Sequence, residues 1–201
     1  MKYFLKLNWF FLFIFLIACT KNAEYQDVYL NFPQKIVKID GKFASFIPSN
    51  SFEVLKNINS DDCDSWKLNI KFSDLFNKSY KKLLNSMFED VTFTDNVLSS
   101  DFLEAKNFIS FIHFEKTKAK INFKTERNTG KLQISLYADI KIQDSRMTIE
   151  NTIKSEQSWE KNIYLNCEVA DGALKISEKA FETFISQIHE NIYKSIRKIT
   201  R

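Results

Sequence analysis

The stretch from Lys131 to Gln143 alternates polar and apolar residues without a break. Because successive side chains of a β-strand point to opposite faces, this pattern predicts a long strand with one buried face and one polar face. Such a strand requires a sheet that is covered on one side only. The apolar positions are Leu132, Ile134, Leu136, Ala138, Ile140 and Ile142.

The segments on either side of this strand predict an antiparallel meander. Before it, three lysines and Asn122 alternate with apolar residues from Lys118 to Lys124, and the turn residues 127–130 lead directly into the next strand. After it, Met147, Ile149 and Ile153 predict a returning strand. Shorter strands are predicted at residues 28–32, 43–47, 66–72 and 91–93, with a less regular candidate at 107–115.

Two segments repeat their apolar residues with the period of a helix. The first runs from Leu75 to Phe88, and the second runs from Leu174 to Ile199, with Asp171 as its predicted N-cap. Amphipathic helices of this kind cover the apolar face of a sheet. The prediction is therefore an α+β fold: a two-layer sandwich, with a mainly antiparallel sheet and two amphipathic helices on one face, in a single domain of residues 28–201.

Residues 1–18 have the pattern of an export signal. Lys2 and Lys6 precede nine consecutive apolar residues, Trp9 to Ile17. A transmembrane helix needs about 20 such residues, whereas a run of this length is typical of a signal peptide. The segment carries two lysines and no acid, so its removal leaves 183 residues and lowers the formal charge from +4 to +2. A nearly neutral domain gives no support for nucleic-acid binding.

The export segment ends in Leu16-Ile17-Ala18-Cys19, which resembles the lipobox of bacterial lipoproteins. The resemblance implies cleavage after Ala18, acylation of Cys19 and a short lipidated tether over residues 19–27. Two or more acyl chains anchor a protein stably to a membrane. Thr20 stands where enteric bacteria place an inner-membrane retention aspartate, which favours the outer membrane. The alternatives are an ordinary secretory signal and an N-terminal anchor with a chance cysteine.

The two other cysteines are Cys63 and Cys167. An exported domain folds in a compartment that permits disulfides, and an even number of remaining cysteines is what pairing predicts. The alternative is a pair of buried free thiols. Both remain open from the sequence.

A basic surface is predicted around the meander's first turn, formed by Lys118, Lys120, Lys124, Arg127 and Lys131. Lysines on the polar face of a sheet would contact an anionic partner, such as a phosphate-bearing glycolipid or an acidic protein. The favoured interpretation is simpler. Lysines on an edge strand prevent sheets from pairing edge to edge.

No motif in the sequence indicates catalysis. There is no glycine-rich nucleotide-binding motif and no GxSxG nucleophile motif. His113 and His189 are isolated, and two histidines without a close cysteine pair do not predict a zinc site. We therefore predict no catalytic residue, no metal ligand and no cofactor, and expect that the chain is not an enzyme.

The lipobox, the segment Trp66–Phe93 and the meander Leu132–Ile153 together resemble small outer-membrane lipoproteins of Gram-negative bacteria. The plan is similar to that of the lipopolysaccharide-assembly lipoprotein and of YajG-like lipoproteins. The resemblance implies a non-enzymatic, lipid-anchored envelope protein, with its domain in the periplasm, that binds an envelope protein or assists outer-membrane assembly. The alternative is a lipid or glycolipid carrier, with a pocket between the sheet and the final helix lined by residues such as Phe123, Leu136 and Phe184.

Overall fold

Six strands and three helices make up the part of the chain that this computed structural model describes, which is residues 37–48, 52–59, 72–126, 129–162 and 168–200. In chain order they are β1 (Ile39–Phe46), β2 (Glu53–Asn59), α1 (Phe72–Met87), β3 (Phe88–Thr94), α2 (Ser100–Ala105), β4 (Ser110–Glu126), β5 (Thr129–Gln143), β6 (Thr148–Asn162) and α3 (Glu168–Ile199).

The predicted meander is confirmed by β4, β5 and β6. Adjacent strands pair antiparallel along nearly their whole length, from Phe111 opposite Gln143 to Glu126 opposite Thr129, and β5 pairs with β6 in the same way. The six alternating apolar residues of β5 are all buried. The α+β fold and the mainly antiparallel sheet are therefore as predicted.

Three shorter strands extend this sheet with parallel pairings. β1 and β2 pair one after the other along the same edge of β4, and β3 pairs with the outer edge of β1. The strand order is β3-β1-β4-β5-β6, with β2 beside β4. Strand β4 is consequently flanked on both sides and lies inside the sheet.

A β-bulge at Glu115 explains why the start of β4 looks irregular in the sequence. Phe114 pairs with Ile140 and Lys116 pairs with Asp139, so Glu115 has no opposite residue. One extra residue in a strand moves the following side chains to the other face. The core-facing positions shift accordingly from Ile112 and Phe114 to the odd-numbered Ala119, Ile121 and Phe123. Residues 107–115 and 118–124, predicted as separate strands, are therefore mostly one strand.

The two long helices cover the apolar face of the sheet. Helix α1 buries Phe76, Tyr80 and Leu84, and α3 buries Phe184 and Ile188, in one core with the meander. The predicted N-cap of α3 is wrong, because the helix begins at Glu168 and Asp171 lies inside it. The apolar stripe that located this helix starts at Leu174, so it could not show how far the backbone continues towards the N-terminus.

The short helix α2 lies on the opposite face. Its Leu103 packs with Ala44 of β1 and Phe111 of β4 in a second, smaller core. Ser99 caps this helix by accepting a hydrogen bond from the amide of Phe102. Helix α2 thus covers the beginning of β4 and leaves the rest of this face uncovered among the described residues.

Several predictions concern residues that lie outside the described part of the chain. These are the signal segment 1–18, the tether 19–27 with Cys19, the predicted strand 28–32, residues 66–71 of the predicted strand 66–72, the cysteines Cys63 and Cys167, and Arg127. In the described residues, no helix has the length and apolar character needed to cross a membrane.

Candidate functional site

Beyond α2, the sheet face opposite the long helices is a polar surface built by β4, β5 and β6. We call it the open face. Side chains of a strand alternate between its two faces, so the polar residues that alternate with the buried ones lie on this face. On β5 these partners are half-buried, and most of those on β4 and β6 are exposed.

Three lysines stand on the open face along β4. We call Lys118, Lys120 and Lys124 the lysine column. All three are exposed, and within the described residues none of them forms an ion pair. The column spans six residues, which is about 20 Å of strand. It is therefore a row of positive charges whose ammonium groups remain available.

The acidic groups of the neighbouring strands already have partners. Asp139 accepts hydrogen bonds from the hydroxyls of Tyr137 (2.6 Å) and Thr152 (2.7 Å). The bond from Tyr137 lowers the pKa of the Asp139 carboxyl, with help from the charges of Lys116 and Lys118. Asp139 stays ionised, but its hydrogen-bonding capacity is used within β5 and β6.

Two further carboxylates surround Lys141. Its ammonium lies 2.8 Å from Glu115 and 2.7 Å from Glu150, and these bonds raise the Lys141 pKa.

A similar arrangement holds on β6, where Glu156 lies 2.7 Å from Lys154 and accepts a hydrogen bond from Gln133. Lys141, Lys154 and their glutamates thus form ion pairs, whereas the lysine column forms none within the described part of the chain.

Lys131 differs from the other predicted basic residues. Its ammonium lies 3.4 Å from Glu126 and 3.6 Å from Glu160, and the hydrogen bond to Glu126 raises its pKa. It pairs in register with Lys124, so it borders the lysine column. Lys131 therefore lies at the predicted surface, but the carboxylates of Glu126 and Glu160 compensate its positive charge.

The interpretation that these lysines protect a sheet edge is wrong. Residues 118–124 of β4 pair with β2 on one side and with β5 on the other. Edge protection needs an unpaired strand, and this segment has none of its backbone edge free. The sequence could not show this, because β2 lacks the regular alternation that identifies a strand.

His113 is buried on the α2 side of β4 rather than presented to solvent. Its ring stacks on Phe111 with centroids 5.0 Å apart, and its Nδ1 atom has no hydrogen-bond partner among the residues that the structure describes. Burial lowers the pKa of this imidazole, which favours the neutral form. Among the described residues, no group of three His, Cys, Asp or Glu side chains is arranged to hold a metal ion.

The residues named for a carrier pocket belong to the main core. Phe123, Leu136 and Phe184 are each at most 1% exposed. The Phe184 ring contacts Phe52 edge-on, with centroids 5.4 Å apart, and lies 6.4 Å from Phe76. Aromatic rings of three different segments thus meet between the sheet and the helices.

The fold and this surface define an α+β domain with one helix-covered and one open sheet face. No protein-family model matches the chain, and no curated protein matches it.

Among solved structures, it is similar to a neuraminyllactose-binding hemagglutinin homolog of Helicobacter pylori, at 9% identity and a TM-score of 0.47, covering 87% of this chain and 98% of the other. It is also similar to the hypothetical protein CT253 of Chlamydia trachomatis, at 10% identity and a TM-score of 0.36, covering 74% and 96%. A third similar chain is an uncharacterized protein, at 11% identity and a TM-score of 0.34, covering 88% and 99%.

Proposed function

We propose that this chain is a lipid-anchored protein of the bacterial envelope that binds an acidic partner protein through the lysine column and catalyses no reaction. The observation that carries the proposal is the position of the column. It lies on an interior strand, where edge protection is not needed, and on the part of the sheet that no described helix covers.

The pairing pattern of the open face supports a protein partner. Glu150 and Glu156 are paired with lysines of β5 and β6, and Asp139 is held by two hydroxyls, so within the described residues none of these carboxylates forms an ion pair with the column. A partner whose carboxylates are spaced like alternate residues of a β-strand could place them opposite the ammonium groups of the lysine column. The rest of its surface would then contact the polar side chains of β5 and β6. Complementary charge of this kind steers encounter and sets specificity.

The N-terminal sequence supports attachment to a membrane. Lys2, Lys6, the apolar run and Leu16-Ile17-Ala18-Cys19 together have the order of a lipoprotein signal. Acyl chains on Cys19 would confine the domain to a membrane surface, which raises its effective concentration near partners in the same membrane.

The anchor is tested by mass spectrometry of the N-terminal peptide and by a Cys19→Ser variant. We expect a peptide that begins at Cys19 and carries acyl mass, and release of the variant from the membrane fraction. An unmodified N-terminal peptide that begins elsewhere would contradict the anchor. So would full retention of the variant in membranes.

The binding surface is tested by chemical crosslinking in intact envelopes. The column variant carries Lys118→Gln, Lys120→Gln and Lys124→Gln. A matched control carries the same change at three exposed lysines of the helix layer, Lys81 of α1 and Lys175 and Lys179 of α3.

We expect a crosslinked envelope protein with the native chain and the control, weaker crosslinking at high salt because exposed charges are screened, and loss of this product in the column variant. Equal crosslinking by both variants would refute the site. An adduct to glycolipid alone, lost with the column, would refute the protein partner.

A further inference from the structure

The strand registers define two ends of the sheet. Phe43 of β1 pairs with Ser110, the first residue of β4. Gln143, the last residue of β5, pairs with both Phe111 of β4 and Thr148, the first residue of β6. We call this the entry end, because residues 37–38 lead into β1 here. The hairpin end lies opposite, where Glu126 pairs with Thr129.

Two connecting segments also lie at the entry end. The carbonyl of Leu98 accepts a hydrogen bond from the Gln143 side chain, 2.9 Å away. The amide of Ile109 donates to the carbonyl of Lys42, at 2.8 Å. These bonds hold residues 98–109, with α2 between them, at this end.

Helix α3 ends on the same side. Asn151, near the start of β6, donates to the hydroxyl of Ser195 at 3.2 Å. At the other end of the helix, Gly172 lies against the indole of Trp159, near the end of β6. The last turns of α3 are therefore at the entry end and its first turns are at the hairpin end.

The exposed large apolar side chains of the described residues all belong to elements at the entry end. They are Val37 (89% exposed), Val97 (57%), Phe102 (43%), Met147 (44%) and Tyr193 (40%). They come from the segment before β1, the loop after β3, α2, the β5–β6 turn and the end of α3. The hairpin end presents polar groups instead, including Glu126, Lys131 and Glu160.

We infer that the entry end rests on the lipid bilayer to which the chain is anchored, with Val97, Phe102 and Met147 at the level of the lipid head groups. Exposed apolar residues concentrated in one region mark an interaction site. The position of the N-terminal segment indicates that the contacted surface is a membrane. Cys19 lies 18 residues before Val37, so the acyl chains are tied to this end within about 60 Å of extended chain.

Basic side chains accompany the apolar ones. Arg146 precedes Met147; its guanidinium lies 3.6 Å from the carboxylate of Asp144, and its side chain is 78% exposed. The guanidinium of Arg197 lies 5.7 Å from the ring centre of Tyr193. Long basic side chains lay their stems along apolar surface while their charged ends reach phosphate groups.

This orientation directs the lysine column away from the bilayer. The column occupies the half of β4 that leads to the hairpin end, with Lys124 two residues before Glu126. A partner bound there would stand off the membrane. This inference rests on the proposed lipid anchor, so its test measures anchoring and orientation separately.

The test uses the processed full-length lipoprotein in vesicles of phosphatidylethanolamine with a minor fraction of phosphatidylglycerol. The photoreactive residue p-benzoylphenylalanine replaces Phe102 or Met147, and it replaces Glu126 in the control. Flotation of the protein with the vesicles reports anchoring, and lipid adducts after illumination report orientation. We expect flotation in every case, with lipid adducts from positions 102 and 147 and only background from position 126.

Each other outcome overturns the inference. Protein that floats without lipid adducts at positions 102 and 147 refutes the orientation and leaves the anchor standing. Equal adducts at all three positions show a domain with no fixed orientation. Protein–protein adducts in place of lipid adducts at 102 and 147 assign the apolar end to a protein contact. Failure to float refutes the anchor and the orientation together.

Discussion

A buried hydroxyl pair between α1 and the sheet yields a quantitative prediction. The Tyr80 hydroxyl lies 3.0 Å from the Ser45 hydroxyl, which lies 2.9 Å from the carbonyl of Ile112. Ser45 has one proton and donates it to Ile112, so Tyr80 is the donor to Ser45. Both side chains are fully buried, and burial raises the pKa of the Tyr80 phenol, which keeps it protonated as this donor.

The two single substitutions should differ in cost. Ser45→Ala leaves the Tyr80 hydroxyl buried without an acceptor, which costs about 1–3 kcal/mol of unfolding free energy. Tyr80→Phe removes the donor but leaves the bond from Ser45 to Ile112, so it costs about 0.5–1.5 kcal/mol. The double variant should cost less than the sum, because the stranded hydroxyl is gone.

Urea unfolding of the chain without residues 1–18, followed by circular dichroism, measures these free energies. The matched control is Ser86→Ala on α1, where the hydroxyl donates only to the Leu83 carbonyl of its own helix. We expect this control to stay within about 0.5 kcal/mol of the native chain. A Tyr80→Phe cost equal to or above that of Ser45→Ala, with additive effects in the double variant, would refute the assigned donor.

Three further predictions concern Gly41 of β1, the buried histidine and the cysteines. Gly41 has φ +111° and an added Cβ would lie 2.0 Å from Ile109 Cδ1, so Gly41→Ala should lower the unfolding free energy by about 1–3 kcal/mol; an unchanged urea midpoint would contradict this. Burial holds the pKa of His113 below its usual value, so the free energy of unfolding should decrease as pH falls below about 6.5, and His113→Phe should flatten that decrease. Peptide mapping without reductant should link Cys63 to Cys167, and alkylation of both thiols in the native protein would reject the disulfide.

The meander could be predicted because each of its strands carries its own alternation. That β4 is one continuous strand could not be predicted, because the bulge at Glu115 reverses the alternation of polar and apolar residues within the strand. The parallel pairings of β1 and β2 with β4 could not be predicted from the sequence either. Ser45 and Ile112 are 67 residues apart in the chain, and β2 has no regular period.

For the lysine column, too, the sequence predicted the residues but not their surroundings in the sheet. The residue types and their spacing identified Lys118, Lys120 and Lys124 as a candidate surface. Their significance depends on whether β4 is an edge or an interior strand, and on which carboxylates pair elsewhere. Both are set by register between segments, so the ion pairs of Lys131 with Glu126 and Glu160 could be seen only in the structure.

The central place of β4 determines the order in which the sheet can assemble. Strands β4, β5 and β6 close through short turns, and local contacts of this kind form quickly. Strand β2 pairs with β4, whose first residue, Ser110, follows Asn59 by 51 positions, whereas β1 pairs with both β3 and β4. In a chain that becomes available for folding from its N-terminus, β1 can therefore pair first with β3, whereas β2 must wait for residues 118–124, beyond the middle of the sequence. The sheet therefore has two starting points, the β1–β3 pair and the β4–β5–β6 meander, and β2 can join only after residues 118–124 of β4 are present.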